Sequence, residues 1–306
     1  MTTTESRFNF MGPRKILGAF SVLLVIASLV SIVTNFLELG LDFTGGTQIE
    51  VEYESAAQLE PIRDVLSNSA YSDASVQHFG RPEEVLVRVP PVEGEDKDKV
   101  GTQVLELLQA DSPSVKLKRV EFVGPQVGEE LRDKSGIAML IALGLMLIYV
   151  TLRFRFKFAV GAVVALFHDV IITLGFFSFT RLTFDLTALA AILAVIGYSL
   201  NDTIVVFDRV RENFRKDRAG SSEEIINNSL NQTLSRTLIT SFTTLLVLIA
   251  LAFLGGEMIF AFSIALIVGI VVGTYSSIYV ASNLLMVQNI SREDFLEQEV
   301  IVDDMP

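Results

Sequence analysis

"ILGAFSVLLVIASLVSIVTNFL", Ile16–Leu37, contains no charged side chain. About 20 apolar residues cross the hydrocarbon core of a bilayer, so this run is long enough. A cleaved signal peptide would have a shorter apolar core followed by a small-x-small site. "TNFLEL", Thr34–Leu39, offers none, and the run reads as an uncleaved anchor. Five further runs follow: Ser135–Leu152, Phe158–Thr180, Leu186–Phe207, Thr237–Gly256 and Met258–Val287. Composition agrees. Half of the 306 residues are hydrophobic and the mean hydropathy is +0.49, far from the charged surface of a soluble domain.

Six spans place both termini on one side, and Lys and Arg decide which. Arg7, Arg14 and Lys15 precede span one. Arg153, Arg155 and Lys157 lie between spans two and three. Arg209, Arg211, Arg215, Lys216 and Arg218 lie between spans four and five. The short opposite loops hold only Arg181. The termini, residues 1–15 and the acidic tail 288–306, are therefore expected in the cytoplasm, and residues 38–134 outside it. That segment carries about 20 acids against about 10 bases, the opposite of a nucleic-acid binder. Cysteine is absent, which suits an oxidising compartment without requiring one.

Residues 38–134 have their own periodicity. "TQIEVEYE" alternates Ile49, Val51 and Tyr53, and "EVLVRV" alternates Val85, Val87 and Val89, both with strand period. Leu59, Ile62, Val65 and Leu66 share one helical face, as do Val100, Val104, Leu107 and Leu108. "ASVQHF" reads as a strand, and Val115, Leu117, Val120 and Phe122 make an imperfect last one. The order β-α-β-β-α-β predicts a ferredoxin-like module. The expected fold is an α-helical polytopic membrane protein of six transmembrane helices with an inserted α+β extracytoplasmic domain. His78 reads as a solvated strand-end side chain, since no partners stand at metal-ligand spacing.

The informative residues are polar ones inside the spans. Span three holds His168 and Asp169. Span four holds Asn201 and Asp202, with Asp208 at its cytoplasmic mouth, and Arg236 opens span five at the depth of Asp202. Ionisable groups in a span cost a few kcal/mol and usually face a bundle interior or an aqueous cavity. Lipid disfavours the charged carboxylate and a neighbouring guanidinium favours it, so an aspartate between those influences can exchange a proton. The plainer reading is helix glue through interhelical hydrogen bonds, with Arg236 snorkelling to the headgroups. Five such residues on three consecutive spans favour an ion pathway. His168 reads equally as a relay or as a neutral imidazole bonded to a carbonyl. In residues 221–236, Ser221 or Ser222 caps a helix whose stripe of Ile226, Leu230, Thr233 and Leu234 suggests a segment lying in the membrane interface.

"LDFTGGTQIEV", "VGPQVGEEL", "FHDVIITLG", "IGYSLNDTIVVFDRVREN" and "NQTLSRTLITS", in this order, resemble the SecF family of bacterial protein-export subunits over nearly the whole chain. The resemblance implies pairing with SecD into a twelve-span assembly like the resistance-nodulation-division exporters. It also implies association with the SecYEG channel and YajC, and action on the unfolded exported polypeptide beyond the inner membrane. It implies use of the proton-motive force, with proton coupling at Asp202, Arg236 and Asp169. No bound cofactor is implied, and the coupling ion is a proton or sodium. Gly45 and Gly46 suit either a hinge that carries motion from span one or a tight turn into the first strand. An alternative within the superfamily is half of a two-subunit small-molecule/proton antiporter. An intramembrane aspartyl protease, suggested by Asp169 and Asp202, lacks its Gly-x-Gly-Asp loop. An enzyme is not expected.

Overall fold

The computed structural model describes residues 8–91, 97–217 and 219–295. Arg7, Arg218 and the acidic tail beyond residue 295 lie outside the described residues. Among the described residues six helices are long and apolar enough to cross a membrane. The first is α1, Arg14–Asn35. A short strand β1, Glu38–Leu39, and one helical turn α2, Leu41–Thr44, lead into the domain.

The domain is a four-stranded antiparallel sheet. Its strands are β2 (Gly46–Glu52), β3 (Ser75–Phe79), β4 (Arg81–Val89) and β5 (Lys116–Val123), in the spatial order β3-β4-β2-β5. Helices α3 (Leu59–Ser67) and α4 (Lys97–Asp111) cover one face. Strand alternation works as the period requires: Ile49, Val51, Val85, Val87 and Val89 are buried against Ile62, Leu66, Val100, Val104 and Leu108. The last strand departs from expectation. Val115 is buried, but Leu117, Val120 and Phe122 stay about 40 % exposed. Strand β5 lies at a sheet edge, and its register slips against Glu50/Val51, which breaks the alternation.

Span two belongs to α5, Pro125–Arg153, which starts ten residues before its apolar run with Pro125 in its first turn. Helix α6, Phe156–Thr180, forms span three. Strand β6, Thr183–Phe184, then pairs in parallel with β1. Helix α7, Leu186–Lys216, begins at Asp185, whose carboxylate accepts from the Ala188 amide at 2.7 Å. Helix α8, Ser222–Leu254, has a reciprocal cap between Ser221 and Glu224. It is one unbroken rod, so the segment expected at the membrane interface and span five are a single helix. Its stripe does not face headgroups. Ile226, Leu230 and Thr233 are buried, and Leu234 packs on the core formed with Phe207, Val210 and Phe214. A helical stripe states that something covers it, and here that is protein. The last span joins α9 (Glu257–Ser276), a π-helical turn (Ser277–Ala281) and α10 (Ser282–Val287). Helices α6 and α7 are the most enclosed, and α5 is nearly bare.

Candidate functional site

The polar residues of the spans gather where α6, α7 and α9 meet. Helical spacing puts Ser199, Asp202, Thr203 and Val206 on one buried face of α7. Close approach of α9 depends on glycine. A Cβ on Gly269 would lie 2.1 Å from Val195, and one on Gly273 would lie 3.0 Å from Ser199. Small residues at such crossings let backbones approach.

Asp169 is fully buried. Its Oδ1 lies 2.8 Å from His168 Nδ1, and the Ser199 hydroxyl donates to its Oδ2. His168 stacks on Tyr275 with ring centroids 6.3 Å apart. The Tyr275 hydroxyl donates to Leu17 O at 2.8 Å and meets Ser21 Oγ at 2.9 Å, which ties this cluster to α1. Asp202 is buried too, and its Oδ2 has no hydrogen-bond partner among the described residues. Among the described residues His168 Nε2, Thr237 Oγ1 and Ser263 Oγ are buried and equally unsatisfied. Each such atom costs about 1–3 kcal/mol. Directly after Ser276 runs the π-helical turn, a local unwinding common at functional sites.

Arg236 does not contact Asp202. It is exposed on α8 and acts on the carboxylate only through its field. Equal depth was legible in the sequence, but the rotation of α8 that turns Arg236 outward was not. Asp208 is ion-paired with Arg153 at 2.6 Å and ties α7 to α5. Asn201 is exposed and lies outside the cluster. Below Asp202 the rings of Phe154, Phe158 and Phe207 pack edge to face and stacked. Sequence reasoning missed Ser199, Tyr275, Thr237 and Ser276. Ser199 had a signal, standing three residues before Asp202 on the same helical face. Among the described residues no group of three acidic or histidine side chains is arranged to hold a metal.

Gly45 and Gly46 have φ of 67° and 113°. A Cβ on Gly45 would lie 2.9 Å from Pro125, and one on Gly46 would lie 2.4 Å from the Val89 carbonyl. Backbone closes on the pair from both sides, the geometry of a packed turn.

Residues 103–290 match the family model described as protein export membrane protein SecD/SecF, C-terminal, and residues 30–57, which include Gly45 and Gly46, match the SecD/SecF GG motif. The protein translocase subunit SecF of Pseudomonas aeruginosa is 52 % identical over 97 % of both chains. That of Vibrio alginolyticus is 50 % identical over 97 % of this chain and 94 % of its own. The chain belongs to the SecF family of protein translocase subunits. It is thus a multi-pass bacterial membrane protein of the protein-export machinery. A solved structure of SecDF, a translocon-associated membrane protein from Thermus thermophilus, is 40 % identical, with TM-score 0.84 over 94 % of this chain. SecDF in a super-membrane-facing form, equally identical, gives 0.69. This chain spans 40 % of the length of each SecDF chain. The SecF motifs quoted from spans three and four thus coincide with the buried cluster around Asp169 and Asp202.

Proposed function

We propose that this SecF chain pairs with SecD to draw on the proton-motive force during late protein translocation. Asp202 is the proton-carrying group, modulated by Arg236, and Asp169 is held by Ser199 one turn away on the same buried face of α7. The observation that carries this reading is the Asp202 carboxylate, buried in a span with one oxygen unpartnered and a base within electrostatic reach. A permanently charged carboxylate there would be costly. One that is protonated in part of a cycle is tolerable, and its charge state can select between two helix packings. A membrane voltage supplies about 2.3 kcal/mol per charge per 100 mV.

The asymmetry of Lys and Arg supports cytoplasmic termini in the inner membrane, with the domain outside. The chain order and the strand order β3-β4-β2-β5 support a ferredoxin-like domain, placed to meet the unfolded polypeptide as it emerges. SecYEG and YajC are the proposed neighbours.

The test uses inverted membrane vesicles containing this chain and SecD. Asp202→Asn and Arg236→Ala should assemble normally yet lose gradient-driven stimulation of export. Normal stimulation in both variants would refute the assignment. Replacing sodium with potassium in the same assay separates proton from sodium coupling.

A further inference from the structure

The sheet face away from α3 and α4 presents Gln48, Gln77, Leu86 and Arg88 to a cleft of ≈ 680 Å³, with Thr183, Asp185 and Met258 on its far wall. Two side chains of the sheet reach the connection between α6 and α7 at one atom. Arg88 Nη2 donates to Thr183 Oγ1 at 2.5 Å, and Gln77 Nε2 donates to the same oxygen at 3.3 Å. Arg88 is held from behind by Gln48 Oε1 at 3.2 Å. Glu38 and Asp185 face its guanidinium but neither pairs with it. Burial draws the Arg88 pKa below its ordinary value, and those two acids push it back.

Thr183 is placed to transmit force. Two residues on, Asp185 caps α7, and Asp42 Oδ2 accepts from the Leu186 amide at 3.1 Å. Helix α7 carries Ser199 and Asp202. The 17 residues from Leu186 to Asp202, at a helical rise of about 1.5 Å each, make a rigid lever about 24 Å long. The alternative path through Gly45 and Gly46 is closed in by Pro125 and the Val89 carbonyl.

We propose that Arg88, Gln77 and Thr183 form a clamp through which displacement of α7 at Asp202 moves the domain. The clamp rests on the reading of Asp202 as the ion-coupling group. Arg88 and Thr183 act as positioning residues outside the ion path, so the clamp can be uncoupled while ion movement persists.

The test measures export and substrate-dependent proton uptake together, in vesicles holding this chain and SecD. Thr183→Val removes the shared acceptor and keeps a branched strand residue. It should lower gradient-driven export at least fivefold with proton uptake and abundance retained, and Thr183→Ser should restore export. Asp202→Asn, run in parallel, should lose both readouts. A second arm uses the absence of native cysteine. Gln77→Cys with Thr183→Cys should be uncoupled when open and regain export when bridged by a short bis-thiol linker. Wild-type export in Thr183→Val beside a defective Asp202→Asn would overturn the clamp alone, as would proton uptake falling in step with export or bridging that abolishes it. Normal export in Asp202→Asn would overturn the underlying coupling reading.

Discussion

Glu84 shows how a single carboxylate steadies the domain. Its Oε1 lies 2.5 Å from Arg81 and 2.6 Å from Lys118, and the side chain is almost buried. Burial raises its pKa, but hydrogen bonds and charge from Lys118 and Arg81 outweigh burial and hold it below the ordinary value. A depressed folded pKa means that the linked stability is present above the unfolded value of about 4.3 and is lost as pH falls through the lower folded value. Glu84→Gln should destabilise the domain by about 1–3 kcal/mol at neutral pH and flatten the acid limb of its stability curve. Denaturant titrations read by hydrogen exchange in β4 and β5 check both effects. At this scale the sequence revealed Asp169 and Asp202, because charge stands out against apolar runs. It did not reveal Thr237 and Ser276, because hydroxyl residues are common in spans and only helix rotation decides whether they face a partner. Rotation also separates Arg236 from Asp202 despite their equal depth.

Elements were legible where a local rule fixes them. Period 2 gave β2 and β4, and a cap at Ser221 or Ser222 marked the start of α8, which the structure places at Ser221. Ser221→Ala should cost about 1 kcal/mol, seen as faster amide exchange in the first turn of α8 with the spans unaffected. The glycine pair has positive φ and backbone atoms close on both sides, which favours the turn over the hinge. Alanine at Gly46 must take a left-handed conformation and meets the Val89 carbonyl, a strain of about 1–3 kcal/mol before the clash. Gly46→Ala should therefore lower the yield of assembled protein, and Gly45→Ala should do so less. Abundance after a synthesis chase measures this. A hinge would give a different result, normal abundance with lost export. What stayed illegible was non-local: the bulge that exposes β5, and the α8 stripe whose covering comes from residues far away in sequence.

The whole molecule is built around α6 and α7, enclosed by the other spans, with α5 almost bare on the outside. The six spans were readable because each exceeds the thickness of a bilayer. Their arrangement was not, since hydropathy gives depth but no neighbours. That arrangement buries Asp202, one of its oxygens unpartnered among the described residues, on the face of α7 whose Ser199 reaches Asp169, at one end of a lever with the domain at the other. In the proposed function Asp202 gains and loses a proton as the membrane is energised. Difference infrared spectroscopy of oriented proteoliposomes containing this chain and SecD reads that event directly. Imposing a proton gradient should produce a carboxylic-acid band that is absent in Asp202→Asn and shifted by isotope-labelled aspartate. An unchanged band in Asp202→Asn, or no band in the wild type, would contradict the account.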